Sequence, residues 1–416
     1  MRLKEICDFI SRGTTPDYVD ESPYKVMNQA TFSKGWLDES NVRYTSKPII
    51  DAQIKKGDLL MASTGGGVLG KVFFYDSEDD SFYADSHVSI LRNSKRNNLM
   101  KFLYYFFSIR YEEINATMVK GSTNQTELQR NYLLAYELDI PSLPKQQQIV
   151  EYLDEKLAKI NKRLTVLEKQ QNAYVRLKKS IIHHAVTRGL NPDVPLKDSG
   201  IEWIGMIPEH WERFRLKDLG YMYGGLTGKS GDDFRCDDET KTKPYVPFTN
   251  VLNNTVVDND NFHYVIMGDN EQQNQVRTND LLFLMSSEDY ESIAKSAVVV
   301  GNPGEVYLNS FCRGLRITNR NCFAPFINYQ LNSVTYRDAL RFEARGFTRI
   351  NIKIDRVASH FVSLPPLSEQ QAIASYLDEK CAKIGAAIEN ISKQIDALKR
   401  LKRALINEVI TGQRAV

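Results

Sequence analysis

Tyr152-Leu-Asp-Glu-Lys-Leu-Ala-Lys-Ile160 and Tyr376-Leu-Asp-Glu-Lys-Cys-Ala-Lys-Ile384 agree at eight of nine positions and lie 224 residues apart. The agreement spreads outward at the same offset. Pro141 matches Pro365, Gln146 and Gln147 match Gln370 and Gln371, and Ile149 matches Ile373. Further on, Arg176-Leu177-Lys178 match Arg400-Leu401-Lys402, and Thr187 matches Thr411. A long segment carried twice, each time behind a different stretch of chain, marks a duplication. Like copies with unlike passengers describe one scaffold presenting two different readers.

Each copy opens on prolines, Pro141-Ser-Leu-Pro144 and Leu364-Pro-Pro-Leu367. Pro144 suits the first turn of a helix, and Ser368 followed by Glu369-Gln370-Gln371 reads as an N-cap with its box. Apolar residues then recur every seven positions. One row is Leu153, Ile160, Leu167, Tyr174 and Ile181; beside it run Val150, Leu157 and Leu164, broken by Gln171. The second copy gives Leu377, Ile384, Ile391, Leu398 and Leu405 beside Ala374, Cys381, Ile388 and Ile395. Such rows, with Lys, Arg and Glu elsewhere, predict a coiled coil. Each helix of about 43 residues would be about 65 Å long. Two long amphipathic helices in one chain, separated by a whole domain, are expected to pack on each other antiparallel.

The passengers read as mixed α/β. Asp58–Met61, Lys71–Tyr75 and His87–Leu91 predict strands, and Asn97–Glu113 predicts an aromatic-faced helix. The second passenger echoes them in Asp280–Phe283, Lys295–Val300, Leu315–Ile317 and Cys322–Leu331. Arg2-Leu3-Lys4 recurs as Arg215-Leu216-Lys217, and Gly121-x-Thr123 as Gly346-x-Thr348. The expected fold class is α+β. Two mixed α/β domains, related by an internal pseudo-twofold repeat, are separated by two long helices forming an antiparallel coiled coil. The first domain spans 1–143 and the first helical region 144–190; a structured connector plus the second domain spans 191–366, and the second helical region 367–416.

With 416 residues, 42% of them hydrophobic, the chain can bury several cores. No stretch approaches the ~20 apolar residues that span a bilayer, and Met1-Arg-Leu-Lys-Glu5 does not read as a secretory signal. Five cysteines without a CxxC pair fit free thiols in a reducing cytoplasm. The net charge of +2 is too small to announce a polyanion partner, but its distribution is uneven. Residues 141–190 hold ten Lys/Arg against four acids, and a second basic cluster runs Arg337, Arg341, Arg345, Arg349, Lys353, Arg356.

Catalytic motifs are missing from the sequence. Gly65-Gly-Gly-Val-Leu-Gly70-Lys71 has phosphate-loop spacing, but Val72 replaces the required Ser/Thr and a strand is predicted next. Gly224-Gly-Leu-Thr-Gly228-Lys229-Ser230 is one residue short between its glycines. Both read as glycine turns with a lysine beside them. The six histidines show no metal spacing, and Asp154-Glu155 and Asp378-Glu379 read as a solvated or partner-facing helix surface.

The chain resembles, over essentially its whole length, the DNA specificity subunit of type I restriction-modification systems (HsdS). The resemblance rests on the paired proline and Gln-Gln-x-Ile segments leading into Tyr-Leu-Asp-Glu-Lys and on Ala185-Val-Thr-Arg-Gly-Leu190. It rests also on Gly57-Asp-Leu-Leu60 and on the connector Lys197-Asp-Ser-Gly-Ile-Glu-Trp-Ile-Gly205 with Ile207-Pro-Glu-His-Trp211. Many relatives carry a copy of this connector before the first domain, whereas here Met1-Arg2-Leu3 starts directly at the domain. The resemblance implies two target-recognition domains, each reading half of a split, asymmetric double-stranded DNA target. The helices would set the spacer and dock two methyltransferase subunits, with motor-nuclease subunits joining that core. The chain itself would be non-catalytic and hold no cofactor. S-adenosylmethionine, ATP and Mg would sit in the partner subunits.

Base edges are read by amides, hydroxyls and Arg/Lys, and phosphates are held by Lys/Arg and backbone N–H groups. Lys120, Ser122, Thr123, Asn124 and Gln125 offer such groups around one glycine. Arg345, Thr348, Arg349 and Asn351 offer a different set around another. Lys71 and Lys295, at matching positions after turns, are expected on phosphate. Thr14, Thr227 and Lys229 complete the candidate DNA contacts.

Overall fold

Short apolar runs opened by Gly-Asp or Asn-Asp become strands buried along their whole length in both halves of the chain. In the computed structural model, which describes residues 1–95, 97–120, 126–234, 242–268 and 270–416, the backbone divides into two units. One comprises Met1–Glu168 with Lys393–Val416, the other Lys169–Ser392. In the first, an antiparallel sheet runs Phe9–Arg12, Val88–Arg92, Leu59–Ala62, Val72–Phe74. A second sheet runs Tyr18–Val19, Arg43–Thr45, Lys25–Met27, Phe82–Ala84, its last pair parallel. The second unit repeats this plan. Its main sheet runs Gly220–Gly224, Cys312–Ile317, Asp280–Leu284, Ser296–Val298. Its smaller sheet, His263–Ile266, Thr242–Val246, Tyr307–Leu308, also ends in a parallel pair.

The same polar lock holds both main sheets. Asp58, fully buried, takes Nε and Nη2 of Arg92, both at 2.6 Å, and Arg92 also donates to the Gln53 carbonyl. Asp280 takes the same two nitrogens of Arg316 at 3.0 and 2.7 Å, and Arg316 donates to the Gln275 carbonyl. Each aspartate also accepts a backbone N–H three residues back, from Lys55 or Arg277. The preceding residue is left-handed in both copies, Gly57 at φ 91° and Asn279 at φ 68°, which are residue types that tolerate it. A carboxylate taken this far from water is costly unless its partners are all present.

The two long helices span Leu143–Arg188 and Leu367–Ile410, slightly longer than the heptads predict. In the first unit Val150, Leu153 and Leu157 share a core with Leu99, Phe102, Leu405, Ile406 and Val409. There Lys145 Nζ reaches the Val416 carbonyl oxygen and Lys402 Nζ reaches Asn161 Oδ1, so the segments run antiparallel. In the second unit Val186 packs with Ile373, Ala374 and Leu377. The gap that Gln171 leaves in the apolar row is filled by its hydrogen bond to Ser392 Oγ at 2.6 Å.

The repeated acids divide their roles. Asp154 accepts the hydroxyl of Tyr105 and Asp378 that of Tyr329, so each fastens its helix to a helix of its own domain. Glu155 and Glu379 face solvent, paired with Lys159 and Lys383 one turn on, and Asp378 also stays exposed. The predicted capping box does not form. Ser368 lies inside the helix, and Glu369 instead accepts from Trp211 Nε1 and bonds His210 Nε2. The predicted helix Asn97–Glu113 is two, Asn97–Ser108 and Tyr111–Thr117, because Arg110 folds back to donate to the Phe106 carbonyl.

The connector is ordered, as expected. Leu196–Asp198 pairs with Met206–Pro208, and Trp203 stacks on buried His360 at 4.7 Å. Cys7, Cys312, Cys322 and Cys381 are free thiols; burial pushes Cys7 and Cys312 up to about 12.

Asp280→Ala should cost about 3–5 kcal/mol in urea unfolding, because it strands the Arg316 guanidinium. Replacing both partners with leucine or methionine should recover most of that loss. Acid should act through His360, whose pKa burial lowers from 6.5 to about 3. The folded state keeps this imidazole neutral, so its stabilisation is complete above pH 6.5. Below that it falls by about 1.4 kcal/mol per pH unit until the folded value is reached. Thermal unfolding followed across this range should show His360→Phe less acid-sensitive than the parent chain.

Candidate DNA interface

In both units the segment leaving the central buried strand captures a second loop by the same backbone bond. Ser63 accepts from Leu128 N at 2.9 Å, and Met285 accepts from Ile352 N at 3.1 Å. In the first unit Val119–Lys120 pairs with Glu127–Leu128. Residues 121–125, including the expected Ser122, Thr123, Asn124 and Gln125, lie outside the described residues, and only the backbone of Lys120 is described. Sequence reasoning missed the neighbours. Arg12 pairs with Glu127 at 3.2 Å and donates to the Ser86 carbonyl, while Thr64 Oγ1 meets His87 Nδ1 at 2.5 Å.

In the second unit Ser286–Ser287 pairs with Ile350–Asn351, and Arg345 and Asn351 exchange both backbone hydrogen bonds at 2.9 Å. Arg345, Thr348, Arg349 and Asn351 are thereby brought together on one exposed loop. Gly346 (φ 141°) turns it, and a Cβ there would stand 2.1 Å from the Arg349 oxygen, so no other residue fits. Arg349 donates to Ser286 Oγ and lies over the Phe311 ring at 4.5 Å. Asn351 Nδ2 donates to the Arg349 carbonyl. Arg345 Nη1 donates to the carbonyls of Phe342 and Ala344. Among the described residues neither Arg345 nor Arg349 has a carboxylate partner.

Lys71 and Lys295 do hold matching positions. Their carbonyls accept from Ala62 N and Leu284 N, both at 2.9 Å, as each chain enters the edge strand. Both are half-buried, and Lys295 Nζ donates to the Leu252 carbonyl at 3.1 Å. Thr14 and Thr227 are exposed just after Gly13 and Gly225, which press against the carbonyls of Ala84 and Asn309. The Thr227 N–H and hydroxyl bond Gln273 Oε1.

Lys229 is a correction. Its side chain is 9% exposed and its ammonium is held by Glu271, whose carboxyl it pulls below its ordinary value, so this charge belongs to an ion pair within the domain. The glycine turn at 65–70 leads into the strand Val72–Phe74, and neither it nor the turn at 224–229 forms a phosphate loop. Among the described residues no three His, Cys, Asp or Glu side chains cluster as metal ligands, and no helix is long and apolar enough to cross a membrane. The surface also shows Phe347, completely exposed at the loop between Arg345 and Arg349. Its signal was its place as the one apolar side chain in Arg345-Gly-Phe-Thr-Arg349.

The family model of the type I restriction modification DNA specificity domain matches residues 1–169 and again 208–399. The type I restriction enzyme MjaVIII specificity subunit of Methanocaldococcus jannaschii is 22% identical over 377 residues, 89% of this chain and 82% of that one. The EcoKI specificity subunit of Escherichia coli K12 is 25% identical over 213 residues, 50% of this chain and 44% of that one. The chain spans about half or less of the length of most curated relatives it matches. A solved chain, described in terms of complex assembly and conformational transition of the type I R-M system, has the same fold. It superimposes with a TM-score of 0.67 at 14% identity, covering 99% of this chain and 96% of that one. Matched in both halves over most of its length, the chain belongs to the family of type I restriction modification DNA specificity domains.

Proposed function

We propose that this chain is the DNA-reading, non-catalytic subunit of a type I restriction-modification complex, each unit contacting one half of a bipartite, asymmetric target. One observation carries the reading. Equivalent frames attach equivalent loops, and the loops differ: Lys120-Gly-Ser-Thr-Asn-Gln125 in one, Arg345-Gly-Phe-Thr-Arg-Ile350 in the other. Equal frames with unequal hydrogen-bonding groups are what two different half-sites need. The long helices dock two methyltransferase subunits, a reading supported by Val166, Val175, Leu177 and Leu401, which are exposed along them. Those subunits bring S-adenosylmethionine, and motor-nuclease subunits bring ATP and Mg, in the cytoplasm. Mapping genomic adenine methylation in cells with and without this chain tests the proposal; the expected motif is two unlike half-sites around unread bases.

The candidate contacts separate into two kinds of defect. Lys71→Ala should weaken binding on every sequence and lower the salt slope by about 0.9. Arg349→Ala or Asn351→Ala should instead relax base preference in one half-site, by about 1–3 kcal/mol per lost contact. Binding titrations on the mapped site and its single-base variants, at several salt concentrations, distinguish them.

A second expectation concerns the helices. Deleting one heptad between 157 and 177 keeps the seam in phase and shortens the helix by about 10 Å. Methylation mapping should then show the same half-sites with a spacer shorter by a few base pairs. Full-rate methylation of the parent site by such a variant would show that the helices do not measure the spacer.

A further inference from the structure

The loop 345–351 carries a feature that hydrogen-bond readout does not need. Phe347 is 100% exposed, on a loop fastened by the Arg345–Asn351 bridge, by the Tyr290 hydroxyl on the Gly346 carbonyl and by the only residue type Gly346 permits. A benzyl group held out on a fixed support, touching nothing, needs a partner to cover it. The charges around it point to the partner's chemistry. Of the acids nearby, Glu291 is paired with Arg341 and Glu343 with Arg356, while Arg345 and Arg349, on either side of Phe347, lack a carboxylate among the described residues. An apolar ring flanked by two guanidiniums free of carboxylates fits a polyanion that also offers flat apolar faces. Stacked bases between phosphate rows are such a surface.

We propose that Phe347 is a wedge: it inserts at one base step of the half-site bound by the second unit and partly unstacks it, with Arg345 on a flanking phosphate and Arg349 at the edge of a neighbouring base. The inference rests on the DNA reading above. The first unit carries Ser122 at the matching place in its sequence, so only one half-site is opened. The wedge therefore adds a source of asymmetry, because steps that unstack easily accept it and stiff ones resist it.

The test uses the full-length chain assembled with its methyltransferase subunits, and duplexes of the mapped site with 2-aminopurine placed in turn at each base of the two half-sites. Apart from the target adenines that the methyltransferase subunits extrude, the parent complex should brighten the probe at one step of a single half-site. Phe347→Ala should abolish that signal and weaken binding about tenfold, within the range of one lost stacking contact. Phe347→Trp should keep both. Because the ring is wholly exposed, neither change should alter thermal unfolding. An unchanged fluorescence profile in Phe347→Ala overturns the wedge while leaving DNA reading intact. So does a variant that loses methyltransferase subunits yet, once assembled, opens DNA like the parent, since Phe347 would then face protein. If the parent complex shows no preference for the mapped site, the DNA reading itself fails and the wedge with it.

Discussion

Two buried carboxylates, Asp58 and Asp280, set the terms on which both halves of this chain fold. Each sits at the mouth of a central strand, where water cannot reach it, and each is tolerable only with its arginine and backbone donors in place. Those donors come from the neighbouring strand and from the turn before the aspartate. The pair therefore joins one strand's register to its neighbour's and to a left-handed turn in a single step. The guanidiniums of Arg92 and Arg316 also lie over the rings of Phe9 and Tyr223 on the next strand, which extends the lock across three strands.

From this frame the loops take their freedom. A backbone hydrogen bond such as Leu128 N to Ser63, or Ile352 N to Met285, is indifferent to side chains, so it holds a loop in place without dictating its chemistry. Side chains on the loop can then change without disturbing the sheet beneath. Rigid frame and variable loop are properties of different atoms.

The long helices, the duplicated strands and the pseudo-repeat were legible in the sequence because periodicity and self-similarity are local patterns. Function of single residues was less so. Asp154 looked like a solvated face, because a helical repeat shows which residues share a side but not which tyrosine lies across from it. Ser368 read as an N-cap but lies inside the helix, and Trp211 and His210, some 158 and 159 residues away in sequence, claim its neighbour Glu369. Lys229 was read by its glycines, while Glu271 decides its role. Each of these depends on a partner distant in sequence. Phe347 went unremarked for a different reason: its one signal, an apolar side chain among polar neighbours, does not say whether the ring is covered until the chain is folded.

The repeated helices are keyed rather than interchangeable. At matching positions near their starts, Lys145 offers an ammonium to the Val416 carbonyl oxygen, and Glu369 offers a carboxylate to the indole N–H of Trp211. Donor and acceptor are reversed between the copies. A recombination event that traded one helical segment for the other would set carboxylate against carbonyl oxygen and ammonium against indole N–H. A swap of helical segments within the chain would therefore forfeit both contacts, so the two copies no longer stand in for one another.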